Sequence, residues 1–149
     1  MDDLMLPLLG LSPVCGKSIV ARFDGGCLSS DAGVLVLREI EQRLGVAEQL
    51  AGCIEDPRAQ AQVIHGLAEM IRFRMLMIAS GYEDGNDATT IRSDPAFKLA
   101  QDVVPSAPDL ASQPTLSRLE NWPDLSALLR TGKALSNLYC ASYARVPKR

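Results

Sequence analysis

Residues 64–81, IHGLAEMIRFRMLMIASG, decide the fold class of this chain. Their apolar side chains recur at helical spacing, at Ile64, Leu67, Ala68, Ile71, Met75 and Ile78. A second apolar face is formed by Val63, Met70 and Met77. Such a pattern predicts a largely buried central helix. Asp56-Pro57 is typical of a helix start, and Gly81 of a helix end.

The polar strip of this helix allows two interpretations. His65 and Glu69 are one helical turn apart and could act as an acid–base pair. Together with Arg72 they equally form the polar seam of a buried helix, and this structural interpretation is favoured.

Further helices are predicted on both sides of the central one, over 32–44, 46–54, 88–93, 95–102, 112–121 and 124–144. The first should be closed by Gly45 and should bury Val34, Leu35, Leu37, Ile40 and Leu44. The last should bury Leu125, Leu128, Leu129, Leu135 and Tyr139. Asp94-Pro95 repeats the pattern of a cap followed by a first-turn proline. The fold class is therefore mainly α.

One short N-terminal β-strand completes the prediction. Residues 18–23 are rich in β-branched side chains and end before Gly25-Gly26. A lone strand needs a partner, and without one its edge would favour self-association. Residues 1–17 are expected to form a poorly ordered leader. Residues 18–149 then form one helical domain.

Composition and charge exclude several protein classes. The chain has 149 residues, of which 47% are hydrophobic, enough for one core without disulfides or metals. A net charge of −3 argues against a strongly basic nucleic-acid coat protein. Residues 116–149 nevertheless carry six basic and two acidic side chains. Such a stretch can bind phosphate or can form an ordinary solvated face.

Cysteine usage and hydropathy point to a reduced, cytoplasmic protein without a membrane segment. The chain has four cysteines, at Cys15, Cys27, Cys53 and Cys140, and their spacing does not match a metal-binding motif. They are expected in the core of a reduced protein. Met1-Asp2-Asp3 has the wrong charge for a signal peptide. The longest uncharged run, 4–16, is shorter than the roughly 20 residues of a membrane-spanning helix.

Three stretches resemble catalytic or ligand-binding motifs, but each lacks a feature that the chemistry requires. Residues 10–18 resemble a phosphate loop, but their glycine spacing is one residue too long. Residues 84–87 lack the spacing of a calcium loop. Two-metal chemistry needs carboxylates displayed from neighbouring strands, and Asp24 and Asp31 have no such scaffold.

Residues 88–121 favour DNA recognition. Several short helices joined by turns, the last opening with Ser-Gln-Pro-Thr, are typical of a helix-turn-helix reader. The side chains able to contact bases or phosphates are Gln113, Thr115, Ser117 and Arg118. The alternative is a capped helix that packs through Leu116 and Leu119. On these grounds alone the chain is a mainly helical domain with a candidate DNA-binding face.

Three sequence blocks resemble a known family. They are FDGGCLSSDAGVLVLRE (23–39), GYEDGND (81–87) and SQPTLSRLEN (112–121), with Asp94-Pro95-Ala96 between the last two. In this order they are similar to the N-terminal third of bacterial insertion-sequence transposases of the DDE domain group 1 class.

The resemblance implies a metal-dependent transposase with a ribonuclease-H-like core, in which two Asp and one Glu hold two Mg²⁺ ions. It places the first catalytic Asp on a strand just beyond the helix that ends near Ala144. That core is therefore expected to be largely absent here. The chain is expected to be a truncated N-terminal portion that lacks the acidic triad, is inactive alone and holds no cofactor. None of its residues is assigned a catalytic role.

The partner implied by the resemblance is double-stranded DNA at terminal inverted repeats, in the bacterial cytoplasm and nucleoid. The candidate DNA contacts are Gln113, Thr115, Ser117 and Arg118, with Arg130, Lys133 and Asn137 on a polar face of the last helix. An alternative function is a protein-interaction remnant that self-associates, or associates with an intact transposase and inhibits it, without binding DNA.

Overall fold

The computed structural model describes residues 6–22 and 24–143, which form a mainly helical fold as predicted. Its two short strands are β1 (Leu6–Pro7) and β2 (Val20–Ala21). Its α-helices are α1 (Val34–Leu44), α2 (Val46–Ala51), α3 (Leu67–Ala79), α4 (Ala88–Ile91), α5 (Pro95–Ala100), α6 (Gln113–Glu120) and α7 (Leu125–Tyr143). Single 3₁₀ turns lie at Gln60–Gln62 and Gly85–Asp87. No described helix is long and apolar enough to cross a membrane.

The predicted strand has a partner within the segment that was expected to be a leader. β1 pairs antiparallel with β2, with Leu6 opposite Ala21 and Pro7 opposite Val20. The strand is shorter than predicted, and Phe23 lies outside the described residues, as do residues 1–5. Because β1 of the same chain supplies the backbone hydrogen bonds of β2, this strand does not require a second chain as its partner.

The described part of that leader, residues 6–17, is bound to α1, which differs from the expectation of poor order. Val14 is buried in the core. Ser12 donates its backbone N–H and its hydroxyl to the Glu39 carboxylate, at 2.9 and 2.7 Å. The Arg38 guanidinium, only 1% exposed, donates to the carbonyls of Ser12 and Pro13, at 3.0 and 3.3 Å.

Arg38 also joins α1 to the end of α5. Its Nε donates to Asp102 Oδ1 at 3.0 Å, and its Nη1 to Glu39 Oε1 at 2.7 Å. Burial alone would raise the pKa of Glu39, but the hydrogen bonds from Ser12 and the charges of Arg38 and Arg43 hold it below its ordinary value. The N-terminal segment, α1 and Asp102 therefore share one charged cluster.

Helix α3 begins ten residues later than Asp56-Pro57 predicts. The Asp56 carboxylate accepts the N–H of Arg58 at 3.0 Å, and Arg58 donates to the His65 carbonyl at 3.0 Å. These bonds fold the intervening residues into a loop. The helix starts after Gly66, whose N–H donates to Glu69 at 3.2 Å. Ile64, expected in the core, is consequently 88% exposed.

The buried face of α3 also differs from the predicted stripe. It is formed by Met70, Ile71, Phe73, Leu76 and Met77, whereas Ile78 is about half exposed. Phe73 meets the fully buried Phe97 of α5 edge to face, with ring centroids 6.1 Å apart. Helix α3 packs against α1, α2 and α6 and is central, as expected.

Several predicted helix boundaries are confirmed. Gly45 ends α1 in a left-handed conformation, with φ 62°, where glycine has no steric cost. The Asp94 carboxylate caps α5 by accepting the N–H groups of Ala96 and Phe97, at 2.8 and 3.1 Å. On α1, however, Ile40 and Leu44 are 48% and 42% exposed rather than buried.

The inward face predicted for α7 is wrong. All five side chains expected there are exposed: Leu125, Leu128, Leu129, Leu135 and Tyr139. Helix α7 instead packs on α2. Ala127 is its buried residue, and Ala134 is packed against the core. Small side chains bring the two helices close together, which turns the leucines outward. Ala144, the predicted end of this helix, lies outside the described residues.

The cysteines also differ from the prediction. Cys15, Cys27 and Cys140 are exposed and Cys53 is partly buried, so they are not core residues.

Candidate nucleic-acid interface

Helix α6 forms where the sequence predicts it. Ser112 is the extended residue before the helix, and its hydroxyl lies 3.0 Å from that of Thr115. Pro114 occupies the first turn, where its missing N–H costs nothing. Leu116 and Leu119 are buried, so the helix packs through the residues that the alternative interpretation named. Its other side chains remain available at the surface.

The polar residues of α6 fall on two sides of the helix. Thr115 and Arg118 face the loop before α3 and line a groove with it. Gln113 and Ser117 do not line this groove, and the Ser117 carbonyl accepts a hydrogen bond from the side-chain amide of Asn121 at 2.8 Å. The structure therefore brings two of the four predicted α6 contacts together.

The groove, here called the Arg118 groove, consists of two adjoining clefts of about 440 and 320 Å³. Its principal residues are Arg58, Gln62, Ile64, His65, Thr115, Arg118 and Trp122. One wall is α6, and the other is the loop that the sequence had predicted to be helical. Its lining combines polar, cationic and apolar groups.

Arg58 holds the loop wall in place. Its Nε and Nη2 donate to the two oxygens of Asp56, at 2.8 and 2.6 Å, and its guanidinium carbon lies 5.1 Å from the centre of the Trp122 ring. The side-chain hydrogen bonds from Arg58 lower the pKa of Asp56 to about 2. Because Asp56 neutralises it, Arg58 organises the groove rather than offering a free positive charge.

Arg118 is the available cation of the groove. It is exposed and has no hydrogen bond or ion pair with any described residue. His65, across the groove, is engaged by Glu69, with Nδ1 and Oε1 2.8 Å apart. His65 lies in the loop two residues before α3, so the pair joins this loop to the first turn of the helix rather than forming a seam along it.

The three predicted contacts on α7 do not share the Arg118 groove. Arg130 lines a neighbouring cleft of about 430 Å³ that also includes Trp122, and donates to the Cys53 carbonyl at 3.0 Å. Asn137 lines a different cleft with Arg43 and Gln49. Lys133 lies on the helix between them. These residues share one polar face of α7, but Arg130 alone adjoins the groove through Trp122.

The expected helix-turn-helix geometry is not present around α6. In that motif a turn of three or four residues joins the two helices. Here residues 101–112 separate α5 from α6. Lys98 organises this long loop by donating to the carbonyls of Pro105 and Ala107, at 3.3 and 2.8 Å. Helix α6 is instead positioned by the 3₁₀ turn at Gly85–Asp87 and by α3. Arg74 of α3 donates its Nε–H to Glu120 Oε1 of α6 at 2.6 Å.

The first two sequence blocks noted above, 23–39 and 81–87, meet Asp94 at a polar cleft of about 300 Å³. Tyr82 donates its hydroxyl to Asp31 at 2.9 Å, and Ser29 donates to Asp94 at 3.0 Å. The hydrogen bond to Asp31 raises the pKa of Tyr82 above its ordinary value. In the described residues, no group of three or more His, Cys, Asp or Glu side chains could hold a metal ion. The cleft joins the turn before α1 to those before α4 and α5.

Sequence reasoning missed Arg58, Gln62, Ile64 and Trp122 as groove residues. Arg58 and Trp122 are far apart along the chain, and their stacking depends on how the loop folds. The available signal is Asp56-Pro57-Arg58, of which Asp56-Pro57 predicts a helix start instead.

Comparison with known proteins agrees with the sequence blocks. The family model described as Transposase DDE domain group 1 matches residues 11–149. No curated protein and no solved structure gives a significant match.

Proposed function

Because the chain belongs to the transposase DDE domain group 1 family, whose model spans residues 11–149, we propose that it serves DNA transposition by binding transposon ends. The ligand is double-stranded DNA at the terminal inverted repeats. The binding surface is the Arg118 groove, extended by the polar face of α7.

The observation that carries this proposal is the exposed, unpaired guanidinium of Arg118 beside the polar wall of the groove. Arginine donates in pairs to phosphate oxygens or to the major-groove edge of guanine. Thr115 and Gln62 add hydroxyl and amide groups on either side. Ile64, 88% exposed at the same groove, fits an apolar contact with a thymine methyl group.

The remaining predicted contacts take a supporting role. Lys133 and Asn137 lie on the polar face of α7, and Arg130 connects this face to the groove. Contacts of this kind position DNA through its phosphates. Gln113 and Ser117, on the other side of α6, would reach DNA only if the duplex covers the whole exposed face of the helix.

Substitution of Arg118 tests the proposal. In titrations of labelled inverted-repeat duplex, Arg118→Ala should weaken binding about five- to hundredfold, as expected for loss of one base or phosphate contact. Lys17→Ala, which removes the same charge from the N-terminal segment outside the groove, is the matched control. Equal affinities of Arg118→Ala and the unsubstituted chain would refute the proposed surface.

Metal chemistry is not assigned to the described residues. The family is generally metal-dependent, but the carboxylates of the polar cleft do not form a metal-binding group. Mg²⁺ is the cofactor expected for the family.

A second candidate function is protein interaction without DNA contact. Two observations favour it: the net charge of −3 and the exposed apolar side chains of α7. It predicts no salt-dependent DNA binding, whereas end recognition predicts binding that weakens steeply as salt rises.

A further inference from the structure

The chain contains one histidine, and the structure places it in the Arg118 groove. His65 belongs to the loop wall and lines the larger of the two clefts, which Arg118 of α6 also lines. The His65 side chain is 20% exposed, so solvent and ligands reach it. Histidine is the side chain that ordinarily changes charge between about pH 5 and pH 8. A change of pH in this range therefore acts on the groove itself.

A carboxylate determines which nitrogen of the His65 ring carries the proton. Nδ1 of His65 lies 2.8 Å from Oε1 of Glu69, and Oε2 of Glu69 accepts the N–H of Gly66 at 3.2 Å. Because an ionised carboxylate only accepts hydrogen bonds, Nδ1 is the donor. In the neutral ring Nε2 then has a lone pair and no hydrogen. Nε2 has no hydrogen-bond partner among the described residues.

The charges around His65 favour an anionic ligand. The larger cleft is lined by three cationic or protonatable side chains, those of Arg58, His65 and Arg118, and by no described Asp or Glu side chain. Asp56 neutralises Arg58 from within the loop, and Glu69 contacts His65 from α3. Arg118 therefore contributes an unbalanced positive charge to the cleft, and a protonated His65 would contribute a second donor.

We propose that the groove binds a phosphodiester of the DNA backbone between Arg118 and the protonated ring of His65, with uptake of one proton from solvent. This inference rests on the proposed function and specifies the chemistry of its site. In the neutral ring the Nε2 lone pair would meet a phosphate oxygen, and two acceptors repel each other. A proton on Nε2 makes it a charged donor, while Glu69 keeps the hydrogen bond from Nδ1 and pairs with the added charge.

The neutral ring of His65 suits a different ligand. Its bare Nε2 accepts a hydrogen bond from the amino group of adenine or cytosine. Such a contact would strengthen as the pH rises, whereas the phosphate contact weakens. The unpaired Arg118 and the absence of carboxylates among the described residues of the cleft favour the phosphate. The sign of the pH dependence separates the two ligands.

The size of the effect follows from linkage between the proton and the phosphate. Because the phosphate binds the protonated ring more tightly, binding and protonation strengthen each other reciprocally. The affinity for DNA is therefore highest at low pH and falls as the pH rises through the range of imidazole titration. A charge-assisted hydrogen bond accounts for roughly a tenfold change in affinity.

Titration of labelled inverted-repeat duplex at constant salt, at about pH 5.5 and about pH 7.5, tests the proposal. The unsubstituted chain should bind roughly tenfold more tightly at the lower pH. His65→Gln keeps a polar side chain that does not titrate, so its affinities at the two pH values should agree within about twofold. Gln62→Ala is the matched control, because it removes an uncharged group from the same cleft and should retain the pH dependence.

Two further measurements support this test. Circular dichroism at both pH values verifies that each variant is folded, and His65→Asn replaces His65→Gln if that variant fails to fold. Calorimetric titration in buffers of different ionisation enthalpy, at about pH 6.5, should show proton uptake by the unsubstituted chain and none by the His65 variant.

The outcomes distinguish this inference from the proposed function. Duplex binding that is independent of pH, or tighter at the higher pH, would overturn the inference and leave the Arg118 surface in place. A pH dependence that His65→Gln retains would also overturn it. Absence of duplex binding at both pH values would overturn the proposed function and the inference together.

Discussion

Replacing Arg38 with Met should detach the N-terminal segment from α1. Arg38 is 1% exposed and donates to the carbonyls of Ser12 and Pro13 and to the carboxylates of Glu39 and Asp102. Methionine keeps most of the side-chain length and removes every donor. The two carbonyls and Glu39 then lose their charged partner.

Arg38→Met is expected to lower the free energy of unfolding by about 3 kcal/mol. Removing one partner of a buried charge cluster costs roughly 3–5 kcal/mol. The lower end applies because the Asp102 side chain is 46% exposed and regains water when it loses the guanidinium. For a domain of this size about 1 kcal/mol lowers the melting temperature by roughly 2–4 °C, so the expected decrease is about 6–12 °C.

Thermal unfolding followed by circular dichroism at pH 7 measures this loss. The control is Arg43→Met, which replaces an exposed arginine on the same helix. Its free energy of unfolding should lie within about 0.5 kcal/mol of that of the unsubstituted chain. Hydrogen exchange should show faster exchange at the Ser12 amide in Arg38→Met. A melting temperature within 2 °C of the unsubstituted chain would refute the conclusion that Arg38 holds the N-terminal segment.

Two further predictions concern the core and the groove. Phe97→Ala should lower the free energy of unfolding by about 4 kcal/mol, because Phe97 is fully buried against Phe73 and its removal leaves a cavity. Urea unfolding measures this change, and a loss below about 2 kcal/mol would contradict the prediction. Asp56 has a folded pKa of about 2, below its ordinary 3.8, so its contribution is fully present above about pH 4 and is lost as pH falls towards 2. Asp56→Asn should therefore destabilise the chain by about 1 kcal/mol at pH 7, after allowance for solvent screening, and not at pH 2. Urea unfolding at both pH values checks this, and an equal loss at both would disagree with the assigned pKa.

Local signals predicted much of the helical architecture. The Gly45 stop of α1 and the Asp94-Pro95 start of α5 depend on nearby backbone groups, and both are where the sequence indicates. Asp56-Pro57 carries the same signal but does not start a helix. There Arg58 captures the Asp56 carboxylate and the His65 carbonyl, and this competition depends on loop closure rather than on helix propensity.

Burial was less predictable than helix position. The leucines of α7 and the alanines Ala127 and Ala134 both recur at helical spacing, and periodicity alone does not select which face turns inward. In this fold the small face packs on α2. The Arg118 groove was only partly predictable for a related reason. Thr115 and Arg118 are visible on α6, whereas the opposite wall depends on the Arg58–Trp122 stacking.

A DNA titration of the purified chain tests the central claim most directly. The ligands are the repeats flanking its own gene and scrambled duplexes of equal length, at low and at physiological salt. Recognition of transposon ends predicts tighter binding to the repeat than to the scrambled duplex, with affinity that falls as salt rises. No binding at low salt would contradict end recognition and favour the protein-interaction function.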